Sequence, residues 1–127
     1  MEKVSVYLSV KNKNSDSLQS KIQYIKNWCL FKNYDCDFYV DKIESRLDCK
    51  NRNDMDRLKE NILNKKVNKV IVPNIENIGR NSIFVQEFLC FLDKHDCIIE
   101  SIDGSNLNFH RNIINEILNN YKEERER

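Results

Sequence analysis

Val70-Ile71-Val72-Pro73-Asn74-Ile75-Glu76-Asn77-Ile78-Gly79-Arg80-Asn81-Ser82 decides the fold, because a β-branched run meets a polar turn there and helical periodicity begins directly afterwards. The run Val70 to Val72 predicts a short interior strand. Pro73 closes it, since proline cannot donate to a strand ladder. Asn81 or Ser82 can cap the following helix with its side chain. Polar side chains gathered where a strand ends and a helix begins are placed to form a site at the open edge of an α/β sheet, although an ordinary strand-to-helix connection shares the local pattern.

Working outward, the same alternation of strand and helix recurs. Lys3 to Val10 sets Val4, Val6, Leu8 and Val10 against Ser5, Tyr7 and Ser9, the period of a strand. A polar loop, Lys11 to Asp16, offers Ser15 or Asp16 as a cap. From Ser17 to about Lys32, Leu18, Ile22, Ile25 and Cys29 recur at helical spacing beside Trp28. Tyr34 to Val40 alternates Tyr34, Cys36, Phe38 and Val40 with a more exposed set, Asp35, Asp37 and Tyr39, which suits a strand near an edge. Asp41 to Asn51 reads as a surface loop, and Asn53 or Asp54 as the cap of a helix carrying Met55, Leu58 and Ile62. Beyond the central stretch, Phe84, Val85, Phe88, Leu89 and Leu92 mark an apolar helix face, Cys97 to Ile102 a strand and Asp103 to Asn106 a turn.

This order implies an α/β fold: a central, largely parallel sheet of four to five strands with helices on both faces, ending in a long C-terminal helix. In that helix, from about Phe109 to Arg127, Ile113, Ile114, Ile117, Leu118 and Tyr121 form one stripe. The stripe either covers its own domain or buries against a second subunit. The expected organisation is a domain at 1–107, a terminal helix at 108–127 acting as a dimerisation arm, and no separate DNA-reading domain.

Composition narrows the class further. The 127 residues, 40% of them hydrophobic, suit one ordinary core. The start lacks an apolar leader segment, and no run approaches the roughly 18 apolar residues of a membrane span, so a cytoplasmic protein without membrane contact is expected. Lys and Arg number 21 against 20 Asp and Glu, a net charge of +1 that gives no general attraction to nucleic acid. Any DNA contact must come from local clusters. The five cysteines form no C-x-x-C pair and suit reduced thiols, with neither a metal site nor a cofactor expected. His95 and His110 read as surface residues.

At this level of detail the chain resembles the catalytic domain of the serine recombinases, the resolvases, invertases and related integrases. Lys3 to Lys11 looks like the family's first strand, commonly tyrosine, any residue, arginine, an apolar residue, then serine. Ser17 to Tyr24 is similar to its first helix, Tyr39-Val40-Asp41 to the end of its second strand, and Arg52 with Met55 and Leu58 to the arginine that opens the next helix. Ile75 to Asn81 is similar to the aspartate-arginine-apolar-glycine-arginine-asparagine signature. Ser101 to Gly104 and, more weakly, Glu124-Arg125 also match.

The resemblance implies a resolvase-like domain that binds duplex DNA as a dimer or tetramer and exchanges strands through a covalent phosphoserine. That chemistry needs a hydroxyl nucleophile and several guanidinium groups, because in-line attack on a phosphodiester builds negative charge. Lys11 stands where the nucleophilic serine is expected, Ser9 where an arginine is, Asn77 for another arginine and Glu76 for the aspartate. An ammonium holds a phosphate as a point charge but is a poor nucleophile at neutral pH. Ser9 is the candidate substitute nucleophile, offset along the strand by about 6.5 Å.

The residues therefore point to a degenerate recombinase domain in which Lys11, Arg52 and Arg80 bind phosphate, with Tyr7, Glu76 and Asn77 lining the site. Ile113, Ile117, Tyr121 and Arg125 are the candidate DNA or dimer contacts of the terminal helix. The expected partners are DNA and either a second copy or an active recombinase. Two other readings stay open: an active recombinase or nuclease using Ser9, and a protein-interaction domain that binds no DNA.

Overall fold

Among the described residues two strands are buried on both faces, and both sit in the middle of the sheet. A computed structural model describes residues 1–12, 16–45 and 48–107. Its elements alternate: β1 (Glu2–Val10), α1 (Asp16–Phe31), β2 (Tyr34–Lys42), α2 (Asn53–Leu63), β3 (Lys69–Val72), a 3-10 turn (Ile75–Asn77), α3 (Ser82–Lys94) and β4 (Ile98–Ser101). Among the described residues the sheet has four strands in the order β2-β1-β3-β4, all neighbours parallel, with Val4 level with Cys36, Val6 with Ile71 and Val70 with Ile99. The central pair, β1 and β3, is covered from both sides, as expected for parallel strands.

On one face, α1 lays Leu18, Ile25 and Cys29 onto Val4, Val6, Leu8 and Ile71. On the other, α2 and α3 pack Met55, Leu58, Ile62, Val85, Phe88, Leu89 and Leu92 against Tyr7, Tyr39, Val70, Val72 and Ile99. Each such aliphatic side chain contributes about 1.5–3 kcal/mol when taken fully out of water. Among the described residues no helix is long and apolar enough to cross a membrane.

With glycine scarce, the chain turns out of its helices on other residues. Asn33, Lys65 and Asp96 adopt positive φ, 62°, 58° and 55°, just beyond α1, α2 and α3. This left-handed conformation lets the chain reverse into the next strand and is most easily reached by Asn and Asp after glycine.

Three local expectations need correction. β2 continues to Lys42, so the loop begins at Ile43 rather than Asp41. Tyr39 is buried, not on an exposed face, because Asn61 of α2 donates to its hydroxyl at 2.7 Å and Arg57 stacks 4.2 Å from its ring centre. The cap of α2 is neither Asn53 nor Asp54, which both lie inside the helix. Its first N–H groups instead meet a carboxylate from another strand, described below. Asn81 does cap α3, its Oδ1 accepting from the Phe84 N–H at 3.1 Å. The terminal helix, with Ile113, Ile117, Tyr121 and Arg125, lies outside the described residues.

Candidate phosphate-binding edge

The strand order creates the site. From β1 the chain crosses to β2 on one side, and β3 lies on the other, so the connections after β1 and β3 leave on opposite faces of the sheet. A crevice opens at the carboxyl ends of such a pair. The end of β1 supplies Ser9 and Lys11 there, and the stretch after β3 supplies Asn77 and Arg80.

A cavity of about 170 Å³ lies at this edge, lined by Ser9, Val10, Lys11, Ile43, Glu44, Ser45 and Arg80. A second, of about 240 Å³, adjoins it and shares Ser9, Val10 and Lys11 while adding Asn12, Ser17, Leu18 and Lys21. Lys11, Lys21 and Arg80 are all exposed at these openings. Lys21 was not singled out from the sequence. The available signal was its position one helical turn after Ser17, which places both on one side of α1.

Arg80 is paired with Glu76 at 3.2 Å, one turn apart in sequence, with both side chains more than half exposed. Such a surface pair is worth about 0–1 kcal/mol, so an arriving anion can compete for the guanidinium. Ser9 differs from its cationic neighbours in being 0% exposed. Its backbone N–H donates to Asn77 Oδ1 at 3.3 Å, and Asn77 Nδ2 donates in turn to Asn74 Oδ1 at 2.9 Å. Asn77, itself buried, therefore ties the turn after β3 to the end of β1.

Beneath this edge lies a buried polar brace. Tyr7 donates its hydroxyl to Asp41 Oδ2 at 2.8 Å. The same carboxylate accepts the N–H of Asp54 on Oδ1 at 2.8 Å and of Met55 on Oδ2 at 3.0 Å, which caps α2. A negative charge at a helix N-terminus is favourable. Burial first, and then the Asp41 carboxylate, push the Tyr7 phenol far above its ordinary value of 10.0.

Arg52 completes the brace. Its Nε and Nη2 donate to the Asp48 carbonyl at 3.0 and 2.9 Å, and its Nη1 to the Ile78 carbonyl and, at 3.4 Å, to the Tyr7 hydroxyl. The guanidinium also lies 4.7 Å from the ring centre of Phe84. Arg52 is 3% exposed and does not line the cavity that holds Lys11 and Arg80. In this arrangement it fastens the loop after β2 to the turn before α3. The structure thus brings Lys11 and Arg80 together and sets Tyr7 and Arg52 beneath them.

A family profile described as "Resolvase, N terminal domain" matches residues 8–126. Among solved structures, the N-terminal catalytic domain of TP901-1 integrase aligns with a TM-score of 0.74 at 21% identity, covering 99% of this chain and 100% of that one. A resolvase family site-specific recombinase from Streptococcus pneumoniae aligns with a TM-score of 0.72 at 20% identity, covering 98% and 90% of the two chains. The C-terminal catalytic domain of ISC1926 TnpA, an IS607-like serine recombinase, gives 0.68 at 18% identity over 79% of this chain and 70% of its own. At these identities the likeness speaks for the fold. A search of curated proteins finds no significant match.

Proposed function

Since the chain belongs to the family of the resolvase N-terminal domain, we propose that it serves site-specific recombination by holding the DNA phosphate backbone at this edge without cleaving it. The observation that carries this reading is the contrast in exposure at the end of β1. Lys11, Lys21 and Arg80 are open to solvent, while Ser9, the candidate substitute nucleophile, is 0% exposed. A nucleophile must approach phosphorus to about 3–3.5 Å and in line with the leaving oxygen, which a residue with no solvent-accessible surface does not do without moving.

The chemistry of the rim suits a phosphodiester. Ammonium and guanidinium groups neutralise its charge, and Arg80 can bond two of its oxygens at once. Such contacts position a duplex without reading its sequence. In a recombination system a non-cleaving copy would act by occupying a place beside an active recombinase or a second copy, with the stripe from Ile113 to Tyr121 as the proposed contact.

The test combines binding and trapping. Fluorescence anisotropy on a labelled duplex should show affinity that falls steeply with salt, as counterion release requires. A denaturing gel of the same mixtures should show no protein–DNA adduct. An adduct that disappears in Ser9→Ala, or in Ser45→Ala, would restore the enzyme reading. No binding even at low salt would leave the protein-interaction reading in its place.

A further inference from the structure

At the corner between α1 and β2, on the side of the sheet away from α2 and α3, two cysteines meet. Cys29 sits in the last turns of α1 and is 0% exposed, and Cys36 is the third residue of β2 and half-buried. Cys29 belongs to a buried apolar cluster with Val4, Val6 and Ile25, Cys36 packs against that cluster, and the Cys36 thiol is the neighbour that, after burial, acts most on the Cys29 thiol. The corner is tight: the Asn33 N–H donates to the Leu30 carbonyl at 3.0 Å, and the positive φ of Asn33 turns the helix directly into the strand. Cys36, unlike Cys29, reaches solvent through a surface cavity of about 290 Å³ lined also by Met1, Lys26, Leu30, Tyr34 and Asp35.

We infer that Cys36 and Cys29 form a reversible redox pair, in which a low-molecular-weight disulfide enters at Cys36 and Cys29 resolves the adduct. In the first step the Cys36 thiolate attacks one sulfur of the reagent, forming a mixed disulfide and releasing one thiolate. In the second, Cys29 gives up its proton and attacks the Cys36 sulfur, forming the internal disulfide and releasing the second thiolate. Two protein thiols are oxidised, the two electrons reduce the reagent's S–S bond, and the two protons end on the released thiols. Burial, followed by the Cys36 thiol, holds the Cys29 thiol above its ordinary range, so resolution is the slow step. The bond would staple α1 to the edge strand whose other end carries Asp41.

Trypsin gives a direct readout, because Lys26, Lys32 and Lys42 place the two cysteines on separate peptides, 27–32 and 33–42. The whole chain is equilibrated with mixtures of oxidised and reduced glutathione, quenched with an alkylating agent, digested and weighed without reduction. The expected product is peptide 27–32 joined to 33–42 with the loss of two hydrogens, rising with the oxidised fraction and reversed by excess reduced glutathione. Glutathione left on 33–42 beside an alkylated Cys29, linkage of either peptide to Cys49, Cys90 or Cys97, or two alkylated thiols throughout would each overturn the proposal. In Cys36→Ser, a change at a half-buried position, Cys29 should stay unmodified in the same mixtures. Glutathione on Cys29 in that variant would overturn the assigned order.

Discussion

The end of β1 and the residue just beyond it divide between two regions with opposite electrostatic arrangements. Tyr7 joins a buried network in which Asp41 of β2 and Arg52 meet hydrogen-bond partners from β1, α2 and the loops beside them. Four residues on, Lys11 lines an open cavity beside an exposed Arg80. Both regions carry charge, but only in the second does the charge face solvent. A buried charge survives only when it is hydrogen-bonded, so the groups of the brace are committed to the fold. An exposed cation pays no such penalty and is available to a ligand. Tyr7, Asp41 and Arg52 are thus bound into the fold, while Lys11 and Arg80 are the exposed cations to which the proposed function gives phosphate affinity.

The largest expected effect comes from breaking the brace. Asp41→Ala removes the cap of α2 and strands the Tyr7 hydroxyl and two N–H groups, and should cost about 3 kcal/mol, read as a fall in the urea midpoint. Arg52→Met should cost about 2–3 kcal/mol, because the Asp48 and Ile78 carbonyls lose their donor. A loss below about 0.5 kcal/mol in both, the range of ordinary surface changes, would dissolve the distinction between the two regions.

A smaller effect, with a pH signature, belongs to Tyr7→Phe. The variant should lose about 1–2 kcal/mol at neutral pH through the missing hydroxyl. In the parent protein the folded state holds the phenol proton more tightly than the unfolded chain does. That contribution is complete below the unfolded value of 10.0 and is lost as pH rises above it, toward the raised folded value. Stability curves measured from pH 8 upward should therefore fall more steeply for the parent than for Tyr7→Phe. Parallel curves would show that the phenol does not carry the alkaline loss.

The open region should respond the other way round. Lys11→Ala and Arg80→Ala should each shift stability by less than about 0.5 kcal/mol, as is usual for exposed sites. Each should weaken DNA binding and lower the slope of log affinity against log salt by about 1. Smallest of all is Glu76→Gln, which releases Arg80 from its surface pair and should tighten DNA binding by about 2- to 5-fold, the factor an exposed ion pair can supply. A weaker complex would mean that Glu76 orients Arg80 rather than competes for it.

How far the sequence could reveal these regions depended on how local each interaction is. The Asn81 cap was legible because its partner, Phe84, lies three residues away. The Asp41 cap was not, because its helix begins more than ten residues later and only the sheet brings the two together. Period-2 alternation located β2, yet it placed Tyr39 on the exposed side, since α2's arrival over that end of the strand leaves no mark in the strand itself. The terminal stripe from Ile113 to Tyr121 lies outside the described residues. In the site, the grouping of Lys11 with Arg80 came from the resemblance to the serine recombinases, which set Arg52 beside them as well. The inward turn of Arg52 depended on carbonyl groups at Asp48 and Ile78, which every residue has and no sequence pattern singles out.

The most direct measurement is a crystal structure of the protein soaked in sulfate, an anion with the tetrahedral shape of the DNA phosphate. The expected result is sulfate held between Lys11 and Arg80, with Arg52 still on the Asp48 and Ile78 carbonyls and the Ser9 hydroxyl still enclosed. Sulfate held instead by an Arg52 that has swung outward, with the Ser9 Oγ within about 3–3.5 Å of sulfur, would contradict the division between brace and binding edge and return the chain to the cleaving enzymes.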